Sequence, residues 1–187
     1  MVIGSYTGRL SYEGVQLMDT IDDERFWRVP FYVNGKYIPI VASGLLLPEK
    51  EGLYTIEALP KCNTHMPRAD HLSVLNVVPA EEGVQETSCT QFEGEIMSLS
   101  PLRVTRMGGQ TMVCWLYGRS NLGAVRVPCF FFDRMARQFN FLDPKVGDSL
   151  SCVGTLQFAP DSYKKFRLSC TVSDIISIRR NLNVGQV

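Results

Sequence analysis

Aromatic and basic side chains alternate in the second half of this chain. Arg126, Phe130 and Phe132 share one face if their stretch forms a β-strand, because successive side chains of a strand point to opposite sides. An earlier stretch presents Trp115 and Tyr117 on one face in the same way. Flat rings stack on nucleobases and guanidinium groups pair with phosphates. The pattern is therefore typical of a surface that holds single-stranded nucleic acid.

More rings and cations flank this pattern. A basic and aromatic segment follows at residues 163–167, and the first half of the chain carries a weaker version of the same chemistry. Each stacked base contributes about 1–3 kcal/mol to binding. The predicted nucleic-acid contacts are Trp27, Arg28, Tyr37, Arg106, Trp115, Tyr117, Arg119, Arg126, Phe130, Phe132, Tyr163, Lys164, Lys165, Phe166 and Arg167.

The same row of rings has a second interpretation. An oligomer interface, or the packing face between two domains, also places aromatic side chains on the outside of a sheet. Phe130 and Phe132 would then be covered by protein, and the chain would be an interaction module or a structural subunit of an assembly. RNA is a third candidate ligand, since bases stack on rings whatever the sugar. Binding to nucleic acid weakens steeply with salt, whereas an aromatic protein interface does not.

The charge is divided unevenly along the chain. Lysine and arginine together equal aspartate and glutamate at 19 each, so the formal net charge is zero. Residues 1–91 nevertheless carry seven basic and twelve acidic side chains, and residues 92–187 carry twelve and seven. This asymmetry indicates that the second half is the one that meets an anion.

Groups for catalysis are scarce. The chain has two histidines, His65 and His71, and their spacing to Cys62 and Asp70 matches no common zinc pattern. No glycine-rich phosphate loop or nucleophile motif is present. We therefore predict no enzymatic activity, no metal and no cofactor.

The six cysteines do not form a redox or zinc motif, because no two lie three positions apart. Four of them fall inside alternating apolar runs, where a cysteine behaves as a small hydrophobic residue. We expect reduced structural thiols at Cys114, Cys129, Cys152 and Cys170.

The elements that position these side chains are mostly strands. In the second half, alternating runs bounded by turn residues predict five strands, and one helical stretch at 133–139 follows the third, with Asp133 as its N-cap. Five strands with a helix between the third and fourth is the layout of the oligonucleotide-binding (OB) fold. The predicted strands are 90–98, 110–117, 124–132, 149–158 and 166–178.

The first half repeats parts of the second in the same order, which indicates a duplication. A type I′ hairpin is predicted at residues 33–36, and a linker at 79–88. We predict an all-β protein of two tandem five-stranded OB barrels, at 1–80 and 90–180, with a short helix in at least the second. The four matches pair 7–10 with 93–96, 28–32 with 126–130, 46–52 with 142–147 and 71–74 with 167–170.

Over about 85 residues the second half resembles the bacterial single-stranded DNA-binding proteins. The resemblance rests on FEGEI at 92–96, VPCFFFDRMA at 127–136 and KVGDSLSCVGTL at 145–156, with 168–178 similar to the closing strand of that family. It implies a non-enzymatic protein that binds single-stranded DNA in replication, recombination or repair. Two chains would supply the four barrels of a typical bacterial assembly, so we expect a homodimer.

The chain also departs from that family. Residues 179–187 contain no acidic side chain, so we do not expect recruitment of partners through an acidic tail. Arg126 stands where the family often has an aromatic residue, and the loop at 159–165 is short. The first residues lack a secretory pattern and no apolar run reaches the length of a membrane span, so we expect a cytoplasmic protein.

Overall fold

The computed structural model contains two closed five-stranded β-barrels and one helix. It describes residues 4–61, 69–120, 123–160 and 166–181, and only the backbone of 89–90, 119–120, 123–124 and 166. The elements are β1 Gly4–Leu10, β2 Gln16–Ile21, β3 Glu24–Val33, β4 Lys36–Ser43, β5 Gly52–Lys61, β6 His71–Pro79, β7 Cys89–Leu99, β8 Arg103–Val104, β9 Gln110–Ser120, β10 Gly123–Phe132, α1 Asp133–Phe141, β11 Ser149–Pro160 and β12 Phe166–Arg179.

The first barrel has the strand order β3-β4-β6-β5-β1 and closes when β1 pairs back to β3. Its one parallel pair, β4 with β6, aligns Ile40 with Leu72. The β3–β4 hairpin turns at Asn34 and Gly35, which both have positive φ, as the predicted type I′ turn requires. The additional strand β2 pairs with β3 and extends beyond the barrel.

The second barrel repeats this topology with the order β7-β11-β12-β10-β9 and closes through β7 and β9. Its parallel pair, β10 with β12, aligns Cys129 with Cys170. The helix α1 lies between β10 and β11, whereas turns occupy the corresponding residues 44–51 of the first barrel. The predicted fold class of two tandem OB barrels, with a helix in at least the second, is confirmed.

The helix packs through Ala136 and Phe139, which lie three residues apart on its buried face. The ring of Phe139 stacks on that of Phe131, with centroids 4.0 Å apart. The predicted N-cap role of Asp133 is wrong. Phe132 occupies the N-cap position without a side-chain cap, and the Asp133 carboxylate instead accepts the backbone N–H of Gln110 at 2.8 Å.

Strand pairing shows which residues of the two barrels correspond. Gly8 and Gly94 are equivalent, as predicted, because a Cβ at either would lie within 3 Å of the carbonyl oxygen of Tyr32 or Tyr117. The predicted match of 28–32 with 126–130 is wrong, since β3 is the second strand of its barrel and β10 is the third.

The buried cysteines of the second barrel come from four strands, β9 to β12, and all four are free thiols, as predicted. Contacts with the Cys114 thiol first, then with Cys152 and Cys170, and burial itself raise the pKa of Cys129 well above its ordinary value. The Cys129 thiol therefore stays protonated and unreactive.

The two barrels are joined at a junction formed by residues 69–70. The backbone of Ala69 donates to the Arg126 carbonyl at 3.2 Å and accepts from the Leu168 N–H at 2.9 Å, so it bridges β10 and β12. A guanidinium nitrogen of Arg167 lies 3.6 Å from an Asp70 carboxylate oxygen. Ala69 therefore lies between β10 and β12 where these two strands no longer pair with each other.

The segment between the barrels follows the surface of the first. Thr87 exchanges two backbone hydrogen bonds with Thr7, at 2.7 and 2.9 Å. The Glu86 carboxylate accepts from the Arg9 guanidinium at 3.2 Å and from the backbone N–H of Asn34. Among the described residues, no helix is long and apolar enough to cross a membrane.

Candidate nucleic-acid interface

The rings and cations predicted in the second barrel come together on the outer face of the β9–β10 hairpin. We call Trp115, Tyr117, Arg126, Phe130 and Phe132 the aromatic strip. Their alternate neighbours are buried in the barrel core, as the period of two requires. Across the hairpin, the register pairs Tyr117 with Arg126, Trp115 with Pro128, Val113 with Phe130 and Thr111 with Phe132.

The side chains of the aromatic strip differ in exposure. Phe132 is 47% exposed and Phe130 is half-buried, and their rings are nearly parallel with centroids 6.4 Å apart. Trp115 and Tyr117 are half-buried, and Arg126 is exposed. Exposed parallel rings and an exposed guanidinium on the same face can stack on bases and pair with a phosphate.

Two features of this face come from strand register rather than from sequence pattern. β7 pairs with β9 so that Glu95, an exposed carboxylate, lies directly beside Tyr117. Thr111 and Val113 complete the rows opposite Phe132 and Phe130. Glu95 would repel a phosphate near Tyr117, but the exposed Arg126 lies opposite Tyr117 on the other neighbour of β9, so this end of the strip carries both an acid and the cation of the strip.

The remaining predicted contacts of the second barrel are spread around the strip. Arg106 is exposed on the segment between β7 and β9. Arg167 is only 17% exposed at its side chain and pairs with Asp70 in the junction between the barrels. Tyr163, Lys164 and Lys165, and the side chains of Arg119 and Phe166, lie outside the described residues.

In the first barrel the equivalent face has a different composition. The position that pairs with Tyr32 across the hairpin is Tyr37, whereas the corresponding partner of Tyr117 is Arg126. Arg28 is half-buried on β3, on the same face as Tyr32. The first barrel thus has a ring, Tyr37, where the second has the cation of the strip, Arg126.

Trp27 lies apart from this face. It is half-buried, packs against the apolar core, and lines a cavity of about 450 Å³ together with Asp23, Glu24, Arg25 and Gly44. The cavity opens beside the acidic β2–β3 turn, so Trp27 lies in a setting that disfavours phosphate.

An aromatic path links the two barrels. The rings of Tyr32 and Tyr37 have centroids 5.8 Å apart, and Tyr37 meets Phe158 of β11 edge-on at 5.5 Å. The sequence patterns did not single out Phe158, because its neighbour in the first barrel is set only by the packing of the two barrels. The path places this face of the first barrel beside the C-terminal part of β11.

The described residues contain no group of three or more histidine, cysteine, aspartate or glutamate side chains arranged to hold a metal ion. His71 is buried, and its Nδ1 lies 2.7 Å from the carboxylate of Asp70, next to the barrel junction. This pair, with Arg167, holds the junction together.

No protein-family description and no curated protein matches the sequence of the chain. Solved structures do match it. The wild-type single-stranded DNA-binding protein of Thermus aquaticus superimposes with a TM-score of 0.72 over 100% of this chain and 96% of its own, at 14% identity. A deletion mutant of the same protein gives a TM-score of 0.72 at 14% identity, over 97% of this chain and 95% of its own.

The chain has the tandem-barrel fold of this bacterial protein. At 14% identity the likeness concerns the fold. It confirms, for both barrels together, the resemblance that the sequence carries only in its second half. The protein priB of Ralstonia solanacearum matches about half of the chain, with a TM-score of 0.37.

Proposed function

We propose that this chain is a non-enzymatic protein that binds single-stranded DNA through the aromatic strip. The observation that carries the proposal is the parallel pair of the half-buried Phe130 and the exposed Phe132, with the exposed Arg126 on the same strand and face. Two large rings side by side on an outer barrel face leave apolar area in water that a ligand or a protein partner would cover. Bases cover such rings by stacking, whatever their sequence.

The charges of the chain favour the second barrel as the main site. The strip lies in the half with twelve basic and seven acidic side chains, which attracts a polyanion. Phosphates can reach Arg126 and Arg106, which are both exposed. The first barrel contributes mainly rings, through Tyr32 and Tyr37, because its own half carries an excess of acid.

The likeness in fold supports a role in replication, recombination or repair, in which exposed single strands are protected or organised. We propose that two chains associate in the cytoplasm, so that four barrels act together. Tyr163, Lys164 and Lys165, between β11 and β12, and Phe166 at the start of β12 would add further rings and cations to the site. Stacking does not distinguish DNA from RNA, so the sugar preference is part of the test.

The test is fluorescence anisotropy of a labelled oligo-dT of about 30 nucleotides, long enough to cover two barrels. The titration is made at about 50 and 200 mM salt, beside an oligo-rU and a duplex of the same length. We expect tight binding to oligo-dT that weakens steeply with salt, and weak binding to the duplex. Absence of binding at low salt would refute the proposal and assign the aromatic strip to a protein partner.

A further inference from the structure

Each barrel extends an arm between its first two strands, and the two arms carry opposite charge. The acidic arm, residues 11–23, contains four carboxylates and no lysine or arginine. The basic arm, residues 100–109, contains Arg103 and Arg106 and no carboxylate. All six of these charged side chains are exposed.

The arms contain the two outermost strands of the sheet. In the described sheet, β2 lies at one end of the strand order and β8 at the other. Each pairs along one edge only, β2 with β3 and β8 with β9. An outermost strand has backbone N–H and C=O groups that can accept another strand.

Both arms also expose apolar side chains beside their charges. In the acidic arm Leu17 is 50% and Ile21 53% exposed, and in the basic arm Val104 is 69% and Met107 98% exposed. Exposed apolar residues are ordinary on a surface and occur elsewhere on this chain, but those of the arms lie beside unpaired strand edges. Covering them would remove apolar area from water.

Charged side chains on an edge strand usually prevent edge-to-edge association. This holds here only for like arms, because two acidic arms repel each other and so do two basic arms. An acidic arm and a basic arm attract. The charges therefore leave one favourable pairing between edges, that of unlike arms.

We propose that the acidic arm of one chain docks on the basic arm of a second copy of the same chain. The contact joins two different surfaces, so it leaves one acidic and one basic arm unused at the ends of each pair. Such a head-to-tail contact adds further copies unless the geometry closes it into a ring. The proposal does not depend on nucleic-acid binding, and its test contains none.

The test measures the mass of the chain by light scattering across a range of protein concentrations, at low and high salt. We expect the average mass to rise with concentration at low salt and to fall as salt screens the arms. Two double charge variants probe the arms separately: Glu13→Lys with Asp19→Lys, which leaves the acidic arm without net charge, and Arg103→Glu with Arg106→Glu, which reverses the charge of the basic arm. Asp22 and Asp23 are left unchanged because their positive φ would strain a lysine.

Each double variant alone should lose the concentration-dependent gain in mass, with a fall of about tenfold in the association constant. An equimolar mixture of the two should regain it, because the unchanged basic arm of the first variant then meets the unchanged acidic arm of the second. The matched control is Glu57→Lys with Glu82→Lys, two exposed carboxylates of the same half outside the arm. That control should associate as the unmodified chain does.

A mass that is independent of salt and of both arm variants would overturn the proposal, and it would do so even if the chain bound single strands tightly. A mass that stops at that of a dimer in the unmodified chain and in both double variants would overturn it as well, since all association would then use another surface. Failure of the mixture to regain mass would have the same consequence, provided that circular dichroism shows both variants folded.

Discussion

The backbone N–H of Ala69, in the first barrel, donates a hydrogen bond to the carbonyl oxygen of Arg126, in the second, over 3.2 Å. Arg126 is the exposed cation of the aromatic strip. The first barrel thus fixes the backbone from which the guanidinium of the second projects. Holding a binding group on a restrained backbone lowers the entropic cost of binding.

Replacing the exposed ring of Phe132 should weaken single-strand binding. For Phe132→Ala we expect a loss of about 1–3 kcal/mol, or about 5- to 150-fold in the dissociation constant for oligo-dT, because one stacked base loses its platform. Anisotropy at constant salt measures the change. The matched control is Phe141→Ala, which removes a ring that is 87% exposed on α1, outside the strip, and should leave affinity unchanged. Equal effects of the two substitutions would count against the strip.

The salt dependence of single-strand binding should show whether Arg126 contacts a phosphate. Arg126→Gln removes one cation, so the slope of the logarithm of affinity against the logarithm of salt should fall by about 0.7. The slope is measured from anisotropy titrations at four or more salt concentrations. Arg134→Gln, at an exposed position on α1, is the control and should keep the original slope. An unchanged slope in Arg126→Gln would mean that this cation meets no phosphate.

Gly154 should be needed for the packing of β11 on β12. A Cβ at this position would lie 2.3 Å from the Cys170 sulfur and 2.5 Å from the Thr171 carbonyl oxygen. Because the second obstacle is backbone, Gly154→Ala should lower the free energy of unfolding by about 1–3 kcal/mol or more. Urea denaturation measures this. Gly44→Ala is the comparison, since its Cβ would meet its nearest atom at 3.4 Å and should cost little.

Asp148 should make the second barrel sensitive to acid. Burial acts to raise the pKa of its carboxyl, but the backbone N–H groups of Lys145 and Asn181 and the Arg180 guanidinium lower that pKa below its ordinary value. A group whose pKa is lowered on folding stabilises the protein above its unfolded pKa. That contribution is lost as the pH falls through the lower, folded value.

The variant Asp148→Asn should therefore reduce the free energy of unfolding at pH 7 by about 1–3 kcal/mol. It should also flatten the loss of stability between about pH 5 and pH 2. Urea denaturation across that range measures both effects. Asp174→Asn, at an exposed carboxylate on β12, is the control. An acid response that is identical in Asp148→Asn and the unmodified chain would contradict the assignment.

The strands of the second barrel could be predicted because each alternating run ends at turn residues. The faces of the strip follow from the same alternation, with Val127 and Phe131 inward and Phe130 and Phe132 outward. Local pattern alone was enough here, since burial on one side and solvent on the other fix the parity of a strand.

The correspondence of the two barrels could not be predicted from the same kind of pattern. In the first barrel Pro30 and Pro39 face each other across the β3–β4 hairpin. The Val-Pro pair shared by residues 28–32 and 126–130 therefore shows that both prolines are on the outer side of a strand. It does not show which strand of the barrel carries each of them. Which strands of the two barrels are equivalent depends on their pairing partners, and those are fixed only when the barrel closes.

Contacts between the barrels were also beyond the sequence. Arg167 has the residue type of a phosphate contact, and its pairing with Asp70 depends on how the first barrel packs against β12. Asp133 has the residue type of an N-cap, but the N–H of Gln110 on the adjacent strand binds its carboxylate instead. For both residues, a partner far away in the sequence determines the interaction that the side chain makes.

The four buried thiols of the second barrel make its opening measurable. Cys114, Cys129, Cys152 and Cys170 are fully buried, each on a different strand. An alkylating reagent can reach them only when the barrel opens, so their rate of modification counts opening events. Bound ligand that favours the closed barrel should lower the rate of thiol modification, and mass spectra taken over time would show by how much.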